Sequence, residues 1–227
     1  MKSSNIRLFL IFYCLTLSVY GQKKYVFDYK IEYTSNEVKK KKKFRDSWML
    51  INSKDNSYQL RVSKAEDKFY LLDIIDLKGL SVTLKIEKDQ FKNFDSYSVS
   101  CNSVNKFDAK SHFDPDEWEF LMKPDSLLNN QEYFVYELRH QKGKGGRFKN
   151  NYLRYFVSKK DSIGAKPVFD HFEGYALHKK YDIPQGVYSK KMIGKGDKIA
   201  IQWSITKLEP IKKAFVIPES CDFTKTD

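Results

Sequence analysis

The chain has 227 residues, 41% of them hydrophobic and 15% aromatic, and its 41 Lys and Arg against 29 Asp and Glu give a net charge of +12. That length suits one domain, which on folding buries roughly 70% of its extended surface and needs no metal staple. The composition holds no internal repeat, low-complexity linker or shift that would mark a second domain, and its basic balance favours anionic partners, although lysines spread this widely among acids ordinarily form a solvated surface.

The N-terminus reads as a cleaved secretory signal over residues 1–21. Lys2 and Arg7 precede the apolar run Leu8 to Val19, and Val19 and Gly21 supply small residues before Gln22. A run of about 12 residues falls short of the roughly 20 that span hydrocarbon. Cys14 leaves with the signal, because Ile11-Phe12-Tyr13 lacks the small residue that a lipoprotein site needs. Losing Lys2 and Arg7 lowers the charge from +12 to +10. Residues 22–227 then form the expected domain, exported to the periplasm or secreted, with no transmembrane segment after signal removal.

Tyr25, Phe27, Tyr29, Ile31 and Tyr33 alternate with Val26, Asp28, Lys30 and Glu32, the period of a strand with one buried face. Lys39, Lys40, Lys41, Lys42 and Lys43, followed by Arg45, form a basic stretch before Trp48-Met49-Leu50-Ile51. It reads as a charged hairpin loop, either a contact for anionic envelope polymers or a solvated loop that discourages edge pairing. Tyr58 to Val62 predicts a further strand. Lys68 to Asp76, apolar on consecutive positions, predicts a strand covered on both sides, and Leu80, Val82, Leu84 and Ile86 alternate again. Strands at this spacing indicate an antiparallel meander.

Asp114-Pro115-Asp116-Glu117 has the form of a helix start, with an N-cap, proline at the first helical position and acids in the first turn. It predicts a short helix through Trp118 to Lys123-Pro124, with another turn after Ser126. Glu132 to Gln141 and Tyr152 to Val157 read as strands joined by the loop Lys142 to Arg147, and Val168 to Leu177 and Tyr181 to Met192 as extended segments. In Asp197 to Pro218, Ile199, Ile201, Trp203 and Ile205 form a buried face. Glu209 and Pro210 then predict a hairpin returning through Ala214 to Ile217.

Candidate chemistry is sparse. His112, Asp114, Asp116, Glu117 and Glu119 are the densest set of possible ligands or acid/base groups, but EF-hand spacing is absent and helix capping accounts for the first acids. His171 and His178, seven apart, fall on opposite faces of a strand and match no zinc spacing, and His140 stands alone. Lys142 to Gly146 lacks the ending of a phosphate loop, and no Gly-x-Ser-x-Gly elbow occurs. We therefore expect no catalytic residue, no metal and no cofactor. Arg147 to Arg154 interleaves basic and aromatic residues, yet export argues against nucleic acid. Cys101 and Cys221 form either a disulfide or two separate buried thiols.

The signal ending Tyr20-Gly21-Gln22, the opening Tyr29-Lys30-Ile31-Glu32-Tyr33 and the closing Phe215-Val216-Ile217-Pro218 resemble exported β-rich proteins of Gram-negative bacteria, the LolA-type lipoprotein carriers and the GLPGLI family. The Gly-Leu-Pro-Gly-Leu-Ile sequence itself is absent. The resemblance implies a curved antiparallel half-barrel with short helices across its concave face and an apolar ligand there, and it brings no catalytic residue.

The expected fold is thus mostly β, a single antiparallel curved sheet or half-barrel with one or two short helices. The expected function is non-enzymatic binding of a lipid or lipoprotein acyl chain in the concave face, with Trp48 and Trp118 bordering the opening. The alternatives are an envelope interaction module acting through the basic stretch and a secreted hydrolase using the acids near Asp114.

Overall fold

The computed structural model describes residues 22–37, 42–108, 115–141, 151–160, 163–168, 177–178, 180–196 and 198–224. They form a 12-stranded sheet. Its N-terminal half contains β1 (Lys23–Glu37), β2 (Lys42–Ile51), β3 (Tyr58–Lys64), β4 (Phe69–Asp76), β5 (Leu80–Glu87), β6 (Ser96–Ser98) and β7 (Val104–Lys106). Its C-terminal half contains β8 (Trp118–Leu128), β9 (Gln131–His140), β10 (Asn151–Ser158), β11 (Tyr188–Lys195) and β12 (Lys198–Ile217). The order is β7-β5-β4-β3-β2-β1-β12-β11-β10-β9-β8. These pairings are antiparallel; β6 alone among the described strands pairs in parallel, along Ala214 to Val216 of β12. A short helix, α1 (Lys88–Asn93), follows β5. The fold is the mostly β, curved antiparallel sheet that the alternating segments predict.

Chain alternation places the side chains in two buried clusters. Leu60, Val62, Leu72, Ile74, Leu80, Val82 and Phe215 belong to the first, which α1 and the C-terminal tail cover. Ile31, Tyr136, Leu138, Tyr155 and Tyr188 belong to the second, which Ala165, Val168, Leu177 and Ile183 cover. Tyr25 and Phe27 serve the first cluster and Ile31 and Tyr33 the second, although all four share one face of β1 by alternation. The change falls at the register shift between Phe27 and Tyr29, where β12 holds an extra residue. Such a bulge bends the pair and raises its local twist.

Three expectations are corrected. The helix after Asp114 is a single 3-10 turn at Pro115–Glu117, and the chain then enters β8, which pairs with β9 from Trp118 opposite His140 to Leu128 opposite Gln131. The acids and proline do start a turn, but Trp118, Phe120 and Met122 alternate with Glu119 and Leu121, and pairing on β9 prevails over helix. Pro124 is tolerated because β8 is an edge strand with a register shift between Lys123 and Ser126.

The final hairpin is instead one continuous strand of 20 residues, β12. Pro210, which lacks an N–H donor, sits opposite Tyr29 at the bulge, where the ladder is already interrupted. Ile199, Ile201, Trp203 and Ile205 are half-buried, and the fully buried residues of this strand are Ala214, Phe215 and Ile217. In β4, finally, Tyr70, Leu72, Ile74 and Asp76 are buried and Leu71 and Ile75 half-buried, so one face is packed more deeply than the other. Of the two extended segments expected before β12, only the second yields a strand among the described residues, β11.

The chain ends are tied to the sheet. A Cys101–Cys221 disulfide, Cα atoms 5.5 Å apart, joins the 3-10 turns Cys101–Ser103 and Glu219–Cys221. Buried Asp76 accepts hydrogen bonds from the Tyr25 hydroxyl at 2.7 Å and the Lys78 N–H at 2.8 Å, and pairs with Lys23 at 2.7 Å. Burial and the Asp76 carboxylate hold the Tyr25 hydroxyl far above its ordinary range.

Candidate functional site

The bulge in β12 lies beside an apolar pocket. Phe27 pairs with Lys213 and Tyr29 with Pro210, so Ile211 and Lys212 together oppose Asp28. This irregularity turns Ile211 and Lys213 toward α1. With Trp48 and Leu50 of β2, Tyr70 of β4 and Phe91 of α1, they line a cavity of about 210 Å³, with Lys30 and Lys92 at its edge.

Its walls are aromatic. Trp48 meets the Tyr70 ring edge-on at 4.6 Å and Phe91 at 6.2 Å, and Tyr70 meets Phe91 at 5.6 Å. Phe91 is the buried residue of α1, and the helix rests on the sheet through it. Trp48 is half-buried, with the Lys30 ammonium 4.4 Å from the centre of its ring. Such a contact anchors a ring that burial alone would leave free to rotate.

Three lysines line the cavity, and two of them, Lys213 and Lys30, are held differently. The Lys213 ammonium donates to the Lys92 carbonyl at 3.0 Å and the Phe94 carbonyl at 2.5 Å, occupying the oxygens at the C-terminal end of α1. It also lies 4.6 Å above the Phe94 ring. Burial pulls its pKa below the ordinary lysine value, opposed in part by Asp95. Lys30 pairs with Glu32 at 2.6 Å and Glu209 at 3.2 Å. Burial pulls this ammonium down too, but its bonds to Glu32 and Glu209 outweigh that, and the net shift is upward. Lys30 is therefore paired with acids, whereas Lys213, a lining residue of the cavity, is held by carbonyl dipoles at the end of α1.

The residues expected at an opening do not come together. Trp48 lines this cavity; Trp118 is 6% exposed in the second cluster, its ring 5.3 Å from His140. Lys39, Lys40 and Lys41 lie outside the described residues. Lys42, Lys43 and Arg45 belong to the backbone of β2, Lys42 opposite Glu37 and Lys43 opposite Asn36. His112, Asp114, His171 and the loop Lys142 to Arg147 also lie outside the described residues. Asp116 pairs with Lys180 at 3.0 Å, and Glu117 approaches His140 at 3.3 Å. Among the described residues, no group of three or more His, Cys, Asp or Glu side chains could hold a metal ion, and no helix is long and apolar enough to cross a membrane.

Sequence reasoning missed Lys30, Tyr70, Phe91, Ile211 and Lys213. Phe91 sits in KDQFKN, a helix of 6 residues too short for a periodic signal. The lysines look like any others on a basic chain, and only the sheet register brings Lys30 beside Leu50 and Lys213 beside Phe27.

No family model matches the sequence, and no curated protein matches it either. Solved structures similar to it include the Pseudomonas aeruginosa MucA/MucB complex, at 7% identity over 82% of this chain and 52% of that one, with a TM-score of 0.34. The chain spans about half the length of the MucB structures it matches, 53% and 52%. A LolA superfamily protein from Nitrosomonas europaea matches at 6% identity over 81% of this chain and 85% of that one, with a TM-score of 0.29. A putative outer membrane lipoprotein-sorting protein domain from Vibrio parahaemolyticus matches at 10% identity over 84% and 85%, with a TM-score of 0.22. The LolA likeness implied by the sequence layout recurs among these structures.

Proposed function

We propose that this is an exported, non-enzymatic β protein that binds the apolar chain of a lipid or lipoprotein between α1 and the sheet. The supporting observation is an aromatic cavity of about 210 Å³ with the Lys213 ammonium at its wall. Trp48, Tyr70, Phe91 and Ile211 would hold methylenes by burial, at about 0.8 kcal/mol for each one removed from water. The volume is below the roughly 300–1,000 Å³ of sites that enclose whole small molecules. The cavity therefore suits one segment of a chain, with the anionic head group outside it near Lys213 and Lys92. Export rests on the signal-like residues 1–21.

The test is native mass spectrometry of protein purified from the exported fraction, followed by organic extraction and lipid identification. The wild type should carry lipid near one equivalent. Trp48→Ala and Ile211→Glu, both at partly exposed positions on the edge of the first cluster, should lose most of it while still unfolding cooperatively, the second because it puts a carboxylate against an apolar chain. A lipid load unchanged in both variants would sink the proposal, as would a wild type that is lipid-free and takes up no fluorescent fatty acid.

A further inference from the structure

A second cavity, of about 240 Å³, lies on the far side of β12 from the first, and it is built differently. The β11–β12 ladder extends from Lys195 opposite Lys198 to Lys190 opposite Ser204 and stops there. Two bulges meet where the strands part. On β11 the register passes from Lys190 opposite Phe156 to Tyr188 opposite Val157, leaving Ser189 as the extra residue. On β12 it passes from Lys207 opposite Glu32 to Ile205 opposite Tyr33, leaving Thr206 as the extra residue. Both extra residues line the cavity. Bulges re-aim side chains, and two independent bulges delivering hydroxyls to one cavity constitute a built polar wall.

The remaining lining completes a donor set. Gln131 and Ser158 face the same space, joined by a hydrogen bond from Gln131 Nε2 to Ser158 Oγ at 2.5 Å. The Lys160 N–H donates to that same oxygen at 3.1 Å, so Ser158 is used as an acceptor and its own proton can be given outward. Thr206 donates to the Glu32 carbonyl at 3.1 Å, which leaves its oxygen to accept. Lys160 and Lys207 are among the lining residues, and no carboxylate is. The Lys207 ammonium pairs with Glu209, which also binds Lys30, so an anion in this cavity competes with that carboxylate for Lys207. Val187, Ile205 and Leu208 form an apolar floor beneath these groups.

We propose that this cavity is a ligand site for a small anion bearing several hydroxyl groups, the chemistry of a sugar phosphate or a sugar acid, free or at the end of an anionic glycan. Lys160 and Lys207 take the charge, the second in competition with Glu209, the Gln, Ser and Thr groups exchange hydrogen bonds with the hydroxyls, and the floor receives the C–H face of the ring. The site shares no lining residue with the apolar pocket, so either can fail alone.

The test is a titration of the full chain, followed by amide chemical shifts, with glucose 6-phosphate and glucuronate as probes and with glucose and inorganic phosphate as controls. At least one acidic sugar should saturate, with shifts centred on Ser189, Thr206 and Lys160, while neutral glucose does not. Lys160→Gln with Lys207→Gln should weaken it about tenfold, and Ser189→Ala several-fold. Ile211→Glu, in the other pocket, should leave it unchanged. The proposal is overturned if neither acidic sugar saturates, if the variants bind as the wild type does, or if inorganic phosphate alone binds as tightly.

Discussion

Phe91→Ala should separate α1 from the sheet. Phe91 is 5% exposed and is the buried residue of a helix of 6 residues. A helix that short is not stable alone and depends on its packing. Complete truncation of a buried Phe costs about 3–5 kcal/mol, and here the ring also loses edge-on contacts with Tyr70, Trp48 and Phe94. The lower half of that range applies, because α1 lies at the surface and can move away without leaving a closed cavity; we expect about 3 kcal/mol. For a domain of this size that lowers the midpoint of thermal unfolding by roughly 6–12 °C. Equilibrium urea unfolding followed by tryptophan fluorescence gives the free energy. Hydrogen exchange at Lys88–Asn93 separates local release of α1 from a global loss. A change within about 0.5 kcal/mol, or exchange protection of α1 equal to the wild type's, would refute the reasoning.

Other outcomes are equally measurable. Glu137 is fully buried, taking bonds from Arg154 Nε at 3.0 Å and Nη2 at 2.7 Å and from Arg139 Nε at 2.9 Å. Burial raises its pKa, but the arginine bonds prevail and hold it below the ordinary value of 4.5. Its contribution is therefore present above that ordinary value and lost as pH falls through the lower folded one. Glu137→Gln should cost about 2–3 kcal/mol near neutral pH, less than for a wholly buried pair because both arginines are partly exposed, and urea midpoints should begin to converge with the wild type's as pH falls below 4.5 and meet only below the lower folded value. Cys101→Ser with Cys221→Ser opens a link across 120 residues and should lower stability by about 2–4 kcal/mol, read as an earlier denaturant midpoint.

The strands were legible wherever one face alone is buried. Leu80, Val82, Leu84 and Ile86 are buried and Thr83, Lys85 and Glu87 exposed, as strict alternation demands. Proline marks the end of β12 at Pro218 but misleads at two other positions. Pro124 and Pro210 stand inside strands, one on an edge and the other at a bulge, and those are the positions where a missing N–H costs a ladder little. Whether a proline ends a strand depends on its neighbours across the sheet, which a linear pattern does not reveal. Trp48 could be picked out as an aromatic residue after a basic stretch, and Trp118 as one that enters an irregular segment. Their fates diverged because β8 pairs with β9 and carries Trp118 into the core, whereas β2 presents Trp48 beneath α1.

Both cavities follow from one mechanical fact. β12 is 20 residues long and pairs with β1 along most of its length, and twist accumulates over such a pair. The ladder is broken by register shifts opposite Asp28 and at Thr206, with another against β11 between Ile193 and Gly194, and each bends the pair. Each shift beside β1 interrupts regular side-chain alternation and turns residues away from close packing. Ile211 and Lys213 reach the aromatic pocket through the first, and Thr206 reaches the polar cavity through the second. A sheet without these bulges would bury the same apolar residues but have neither concavity. The strand that holds the two halves of the sheet together is thus also the one that supplies a wall to each candidate site.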